Sequence, residues 1–165
     1  MNGKTFLEIL SGLLLAVLAS SVPLLADDGP EDEEDAREER TELLHQIAEA
    51  HFEKAAILEE SGRVDAAIEE LRRIETLPFP DEEDVEEQLF EVNVFMAELY
   101  LEAERFKEAE TLLNGALKRF SDPPSRSVQL HTLMGYALRE QGRGEEALKH
   151  FDRAIDLGRK ALEAD

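Results

Sequence analysis

Apolar residues recur every three or four positions along most of this chain. The first such stretch covers residues 43–58 and ends at Gly62, and the second covers residues 64–74 and ends before Pro78. This spacing places the apolar side chains on one face of an α-helix, and glycine and proline are typical helix stops. The two stretches therefore predict an antiparallel hairpin of two helices.

The same arrangement occurs twice more. The later apolar stretches cover residues 85–103, 106–120, 128–138 and 147–155. Asp122, Pro123 and Pro124 separate the second pair from the third, and no segment alternates with the period of a β-strand. The pattern predicts an all-α fold of three antiparallel helix hairpins.

A fixed skeleton repeats within these hairpins. The same interval separates His51 from Ala67, Asn93 from Ala109, and His131 from Ala147. Leu71, Leu113 and Phe151 each follow their alanine by one helical turn. Over residues 43–160 this skeleton resembles the tetratricopeptide repeat, with its large residue, small residue and later Ala-x3-Phe. The resemblance implies an α-α superhelix, a solenoid of stacked hairpins, and a role in binding other proteins.

The chain also departs from the family pattern. No copy has the usual Trp, and Lys54 replaces an expected apolar residue. The skeleton alanines are spaced more widely than the family's usual period of about 34 residues. The additional residues fit in the linkers at 78–87 and 121–127, where insertions are tolerated. Small residues such as Ala55, Ala97 and Gly135 are expected where helix backbones approach closely.

Residues 1–26 resemble a targeting segment. Lys4 precedes an apolar run over residues 9–25, and Asp27 follows Ala26 at once. These parts are typical of a secretory signal peptide cut after Ala26, or alternatively after Ser21. An uncleaved membrane anchor is the other interpretation, since residues 5–26 approach the length of a membrane span. Both interpretations predict an exported protein, periplasmic or extracellular.

Residues 27–40 form a separate acidic segment. They hold nine acidic residues, two arginines and no apolar side chain larger than Ala36. Such a segment cannot bury a core, so it predicts a disordered, solvated tether ahead of a repeat domain over residues 41–165, with its later part able to join the first helix.

The acidity of the whole chain restricts its partners. The formal net charge is −21, and Lys4 and Glu8 cancel each other within residues 1–26. Nucleic acid is excluded because phosphate binding requires a basic face. Anionic membrane surfaces are disfavoured for the same reason, apart from contact through the N-terminal segment. A protein or peptide with basic and apolar side chains is the expected partner.

The sequence contains no motif that is typical of catalysis or cofactor binding. The chain has no cysteine, and His45, His51, His131 and His150 are not spaced as metal ligands on one helix. A nucleophile elbow and a phosphate-binding glycine loop are both missing. We therefore expect a protein that is not an enzyme and needs no metal or cofactor.

The family resemblance implies a concave groove lined by the first helix of each hairpin. Its lining would be Glu49, Phe52, Glu59, Glu60, Glu91, Val94, Glu98, Leu101, Glu102, Thr132, Tyr136, Arg139 and Glu140. The alternative is that the glutamates only solvate a helix surface. The apolar residues within this set favour a contact surface.

Two non-catalytic functions follow from these observations. The first is an adaptor or scaffold of the cell envelope that binds a peptide or a partner helix in the acidic groove. The alternative is a structural subunit that associates with itself by stacking its repeats. The last helix favours the adaptor if Leu157, Ala161 and Leu162 close the core while Gly158 and the charged residues around it face water.

Overall fold

A computed structural model describes residues 30–80 and 83–164 of this chain. The predictions for residues 1–26 lie outside the described residues. Six helices follow in order: α1 (Pro30–Glu60), α2 (Val64–Glu75), α3 (Glu83–Glu102), α4 (Phe106–Arg119), α5 (Pro124–Glu140) and α6 (Gly144–Ala164). No strand occurs among these residues. The predicted all-α fold of three consecutive hairpins is confirmed.

The first helix begins earlier than its apolar pattern. It starts at Pro30, whose fixed φ suits a helix start, so the predicted disordered tether is helical from this residue onward. Acidic residues in the first turns of a helix interact favourably with its dipole. The side chains of residues 33–40 are all exposed, as expected of a solvated segment. Contacts divide the chain into Met1–Arg40 and Thr41–Asp165.

Each hairpin turns through the same backbone conformation. Gly62, Glu104 and Gly142 have φ of 72°, 58° and 75°, in the left-handed region. The following amide donates to a carbonyl five residues back in every case, for example from Arg63 to Leu58 at 2.8 Å. This pattern is the Schellman motif, which ends one helix and releases the chain for the next.

Small side chains sit at the centre of the hairpins. Ala55, Ala67, Ala97 and Ala109 are completely buried. A Cβ added to Gly135 would lie 2.5 Å from Cε1 of Phe151, so this close approach involves a ring rather than a second backbone. The small residues are therefore buried as expected, but at Gly135 the expectation of a close approach between backbones is wrong, because the Phe151 ring occupies that space.

The first and second hairpins pack on each other in spite of the long linker between them. The rings of Phe52 and Phe95 lie 5.4 Å apart. The Arg72 guanidinium donates to the Tyr100 hydroxyl at 2.7 Å, and Asn93 donates to a carboxylate oxygen of Glu75 at 2.9 Å. These contacts join α1 and α2 to α3 across the seam.

Arg126 holds the start of the third hairpin to the second. Its buried guanidinium donates to the carboxylates of Glu86 and Glu87 and, at 2.9 Å, to the carbonyl of Asp122. The Arg126–Glu86 pair has a separation of 2.7 Å. The linker at 121–127 is therefore anchored to the start of α3.

Several apolar residues assigned to the core are on the surface instead. Leu43, Ile47, Leu148 and Ile155 are exposed, and Leu162 is 81% exposed. The prediction that Leu162 closes the core is wrong, and Gly158 is half-buried beside Val128 rather than facing water. The physical reason is that α1 and α6 are the outermost of the described helices, and no further hairpin covers them within residues 30–80 and 83–164.

Among the described residues, none of the helices combines the length and the apolar character needed to cross a membrane.

We predict that Glu104→Gly stabilises the protein. A side chain in the left-handed region costs roughly 1–2 kcal/mol, and glycine avoids that cost. The free energy of unfolding in urea should rise by about 1 kcal/mol. Gly142→Ala is the matched control at the equivalent turn and should lower it by a similar amount. A decrease for Glu104→Gly would contradict this account of the turn.

Candidate functional site

The residues predicted to line the groove lie on the first helix of each hairpin. Helix α1 supplies Glu49, Phe52, Glu59 and Glu60; α3 supplies Glu91, Val94, Glu98, Leu101 and Glu102; α5 supplies Thr132, Tyr136, Arg139 and Glu140. The repeat spacing also assigns Ala56 to the position of Glu98 and Gln129 to that of Glu91. The sequence prediction left both out, although the intervals between the skeleton alanines contain the signal.

The apolar members of this set differ in exposure. Phe52 and Val94 are buried, at 7% and 2%, so the expectation that they offer an open apolar surface is wrong. Phe52 is covered because it packs on Phe95 of the next hairpin. Leu101 is half-buried, and Tyr136 is 41% exposed. The accessible apolar surface of the set therefore lies toward its C-terminal end.

The glutamates that α1 and α3 contribute to the set lack cationic partners. Glu49, Glu59, Glu91 and Glu98 are half-buried, and Glu60 and Glu102 are exposed. None of these six carboxylates forms an ion pair within the part of the chain that the structure describes. These carboxylates thus have no direct cationic contact, although the Arg126 guanidinium opposes the rise in the pKa of Glu91.

Two of these carboxylates are electrostatically unfavourable as anions. Burial raises the pKa of Glu91, and the neighbouring carboxylates of Glu87 and Glu98 raise it further. Burial also raises the pKa of Glu98, and Glu102 adds to the effect. Glu91 and Glu98 face the same side of α3, since seven positions span two helical turns. A cation placed between them would relieve the repulsion.

Several other acidic residues in the described part of the chain pair with arginine or lysine. Glu70 is almost fully buried, and Lys54 contacts it at 2.8 Å, His51 at 2.7 Å and Arg73 at 3.4 Å. The hydrogen bond from Lys54 lowers the pKa of Glu70, and the contacts of His51 and Arg73 lower it further against the effect of burial. The unexpected Lys54 of the first repeat is therefore the partner of a buried carboxylate.

Arg105 and Arg143, which follow the turns of the second and third hairpins, also form ion pairs with carboxylates. Arg143 contacts Glu110 at 2.7 Å and Glu146 at 2.6 Å, and its hydrogen bonds lower the pKa of both carboxylates. Arg105 is paired with Asp65 and Glu108. The cations thus lie at the seams between helices, while the groove glutamates of α1 and α3 are left without them.

The third repeat has a different groove surface. Arg139 donates to Glu140 at 2.6 Å and lies 5.3 Å from the ring centre of Tyr136. The Tyr136 ring also meets Phe151 edge-on, with 5.5 Å between centres. This end of the set is therefore close to neutral and aromatic, next to an acidic stretch on α3.

The structure brings together two histidines that no sequence pattern had paired. His131 and His150 are half-buried, and their Nδ1 atoms lie 2.9 Å apart. One ring nitrogen must donate and the other accept, which requires that both rings stay neutral or that only one is protonated. Burial lowers the pKa of both, the second ring lowers that of His131, and Glu110 and Glu146 oppose the effect at His150. His51 and Glu70 make the equivalent contact in the first hairpin, at the same sequence separation.

No group of three or more His, Cys, Asp or Glu side chains within the described ranges is arranged to hold a metal ion.

Comparison with known proteins supports the fold class. Residues 96–161, from the middle of α3 to the end of α6, match the family model for the tetratricopeptide repeat. This match supports the resemblance deduced from the repeat skeleton over residues 96–161. Repeats of this family generally mediate protein–protein interaction and are typically non-catalytic. A search of curated proteins found no match to the chain.

We predict that the histidine pair makes stability depend on pH. Because the folded pKa values lie below the ordinary value of 6.5, the unfolded chain takes up protons first as the pH falls. The stabilisation is complete above pH 6.5 and is lost as the pH falls toward the folded pKa values. Urea unfolding measured across this range should show a smaller decline for His150→Gln than for the wild type.

His45→Gln is the control, since it removes a histidine that stacks on Phe79 and leaves the pair in place. An identical decline in the wild type and in His150→Gln would show that the pair has no part in the pH dependence.

Proposed function

We propose that this protein is an adaptor of the cell envelope that binds a cationic peptide or partner helix along its first-helix face. The observation that carries the proposal is the set of glutamates on this face that form no ion pair, above all the half-buried Glu91 and Glu98. In the same chain, the buried Glu70 and the half-buried Glu110 both have cationic partners. A surface that keeps half-buried carboxylates without partners gains free energy when a ligand supplies the cations.

The ligand implied by this surface has two parts. Lysine or arginine side chains would pair with the carboxylates of α3, and an apolar or aromatic side chain would contact the exposed ring of Tyr136. Tetratricopeptide repeats form extended concave surfaces, which suit an elongated ligand that follows several hairpins. The proposed location in the envelope rests on residues 1–26, whose signal-like pattern supports export of the repeats.

The experiment compares three forms of the full chain as bait for an envelope extract. These are the wild type, Glu91→Lys/Glu98→Lys, and the control Glu38→Lys/Glu163→Lys, which changes the charge equally at exposed positions that are not members of the predicted groove set. Partners retained by the wild type are identified, purified and titrated by calorimetry at low and high salt.

We expect the groove variant to weaken binding by about tenfold or more and the control to leave it nearly unchanged. Binding to the wild type should weaken as salt rises, because screening reduces attraction between opposite charges. Equal loss in both variants would mean that only the overall charge matters, and no loss in either would exclude the groove.

A further inference from the structure

The two outermost helices carry apolar surface at defined repeat positions. Ile57 of α1 is 61% exposed, whereas its equivalents Leu99 in the second hairpin and Ala137 in the third are 1% and 0% exposed. Ile47 is also exposed, and its equivalent Leu89 is buried. The equivalent positions are buried in the second and third hairpins, each of which follows another hairpin. We therefore interpret Ile47 and Ile57 as a stacking surface on α1 that no preceding hairpin covers among the described residues.

The last helix carries the complementary face. Leu148 of α6 is 57% exposed, whereas its equivalent Ile68 in the first hairpin is 2% exposed. Leu148, Ile155 and Leu162 recur at every second helical turn, which aligns them along one side of the helix. In the first two hairpins the second helix packs against the hairpin that follows, and α6 has no following hairpin within the described chain.

The arginine that follows each turn adds an ion pair to the apolar contact between neighbouring hairpins. Arg105 reaches back to Asp65 of the preceding hairpin, and Arg143 reaches back to Glu110. Arg63 occupies the same position in the first hairpin and is exposed, with no ion pair among the described residues. Glu145 occupies the position of Asp65 in the last hairpin and is likewise exposed and unpaired there. By the register of the first seam, the first end of the array has a donor in Arg63 and the last end has an acceptor in Glu145. The second seam uses Glu110 as its acceptor instead, because Lys107 occupies the position of Asp65 there.

The last helix also carries cations without partners. Lys149, Arg153, Arg159 and Lys160 are exposed and form no ion pair within the described part of the chain.

We propose that a second copy of this chain is the occupant of these faces, with α6 of one copy stacked on α1 of the next. The contact would continue the repeat stack across the junction, with Leu148 and Ile155 covering Ile47 and Ile57, and with Arg63 pairing with Glu145. Such a contact joins different surfaces of the two copies, so it forms open chains or rings rather than a two-fold dimer. The proposal does not depend on the groove, which lies on a different face of the first helices.

The first measurement is sedimentation velocity of the full chain over a range of concentrations. The net charge of −21 makes two copies repel each other at a distance. Raising the salt from about 0.1 M to about 1 M shortens the screening length from about 10 Å to about 3 Å and should therefore promote association. Groove binding has the opposite salt dependence, so the failure of one proposal is distinguishable from the failure of the other.

The decisive test uses two variants that each block one end. Ile57→Glu places a charge on the α1 face and Ile155→Glu places one on the α6 face, and both positions are exposed, so folding should be preserved. The self-association affinity of each variant alone should fall by about tenfold or more. An equimolar mixture should form a one-to-one complex, because each variant keeps the end that the other has lost.

Charge exchange tests the polar part of the junction. Arg63→Glu and Glu145→Arg should each weaken association, and their mixture should restore it in a one-to-one complex. Lys118→Glu, at an exposed position of the second hairpin, should leave association unchanged. A chain that stays monomeric under all conditions would overturn the proposal, and so would loss of association in Ile155→Glu alone, which would indicate a two-fold contact between α6 helices.

Discussion

The whole fold depends on one constraint: a helical hairpin buries only part of its apolar surface within itself and needs a neighbouring hairpin to bury the rest. The completely buried alanines at Ala55, Ala67, Ala97 and Ala109 let the helices approach closely enough for larger side chains to bridge the seams. The Phe52–Phe95 contact shows this across the longest linker of the chain. On α1 and α6, the outermost of the described helices, leucine and isoleucine side chains remain exposed to solvent because no described hairpin covers them.

The distribution of cations follows from the same arrangement. A chain with 18 basic and 39 acidic residues cannot neutralise every carboxylate. Lys54 and Arg73 pair with the buried Glu70 inside the first hairpin, and Arg143 pairs with Glu110 between the second and third. Glu91 and Glu98 on the first-helix face of the second hairpin have no such ion pair, so this face keeps a negative charge.

The sequence predicted the helices well because an amphipathic helix records its buried face in local spacing. It also predicted the turns, where Gly62 and Gly142 provide the left-handed residue, although Glu104 shows that the backbone can impose this conformation on another residue type. The burial of Phe52 was missed because the covering side chain lies in another hairpin, and a single helix carries no record of it.

The histidine pair was missed for a similar reason. His131 and His150 lie on different helices, and only the repeat register, through the equivalent contact of His51 with Glu70, relates them. The point at which α1 begins was left open, because exposed acidic residues carry no apolar period, although they can continue a helix once it is nucleated. Local patterns therefore identified the elements, whereas contacts between elements required the three-dimensional structure.

The arginine after each turn also bears on how such a chain can change its length. Arg105 joins its hairpin to the one before it, and Asp65 joins its own hairpin to the one after it. A hairpin that carries both an arginine after its turn and an acidic residue such as Asp65 can form an ion pair with the hairpin on either side of it. Duplicating that segment within a gene would supply a donor and an acceptor to both new seams at once, so an array of this type can lengthen or shorten by whole hairpins without further compensating substitutions at the turns.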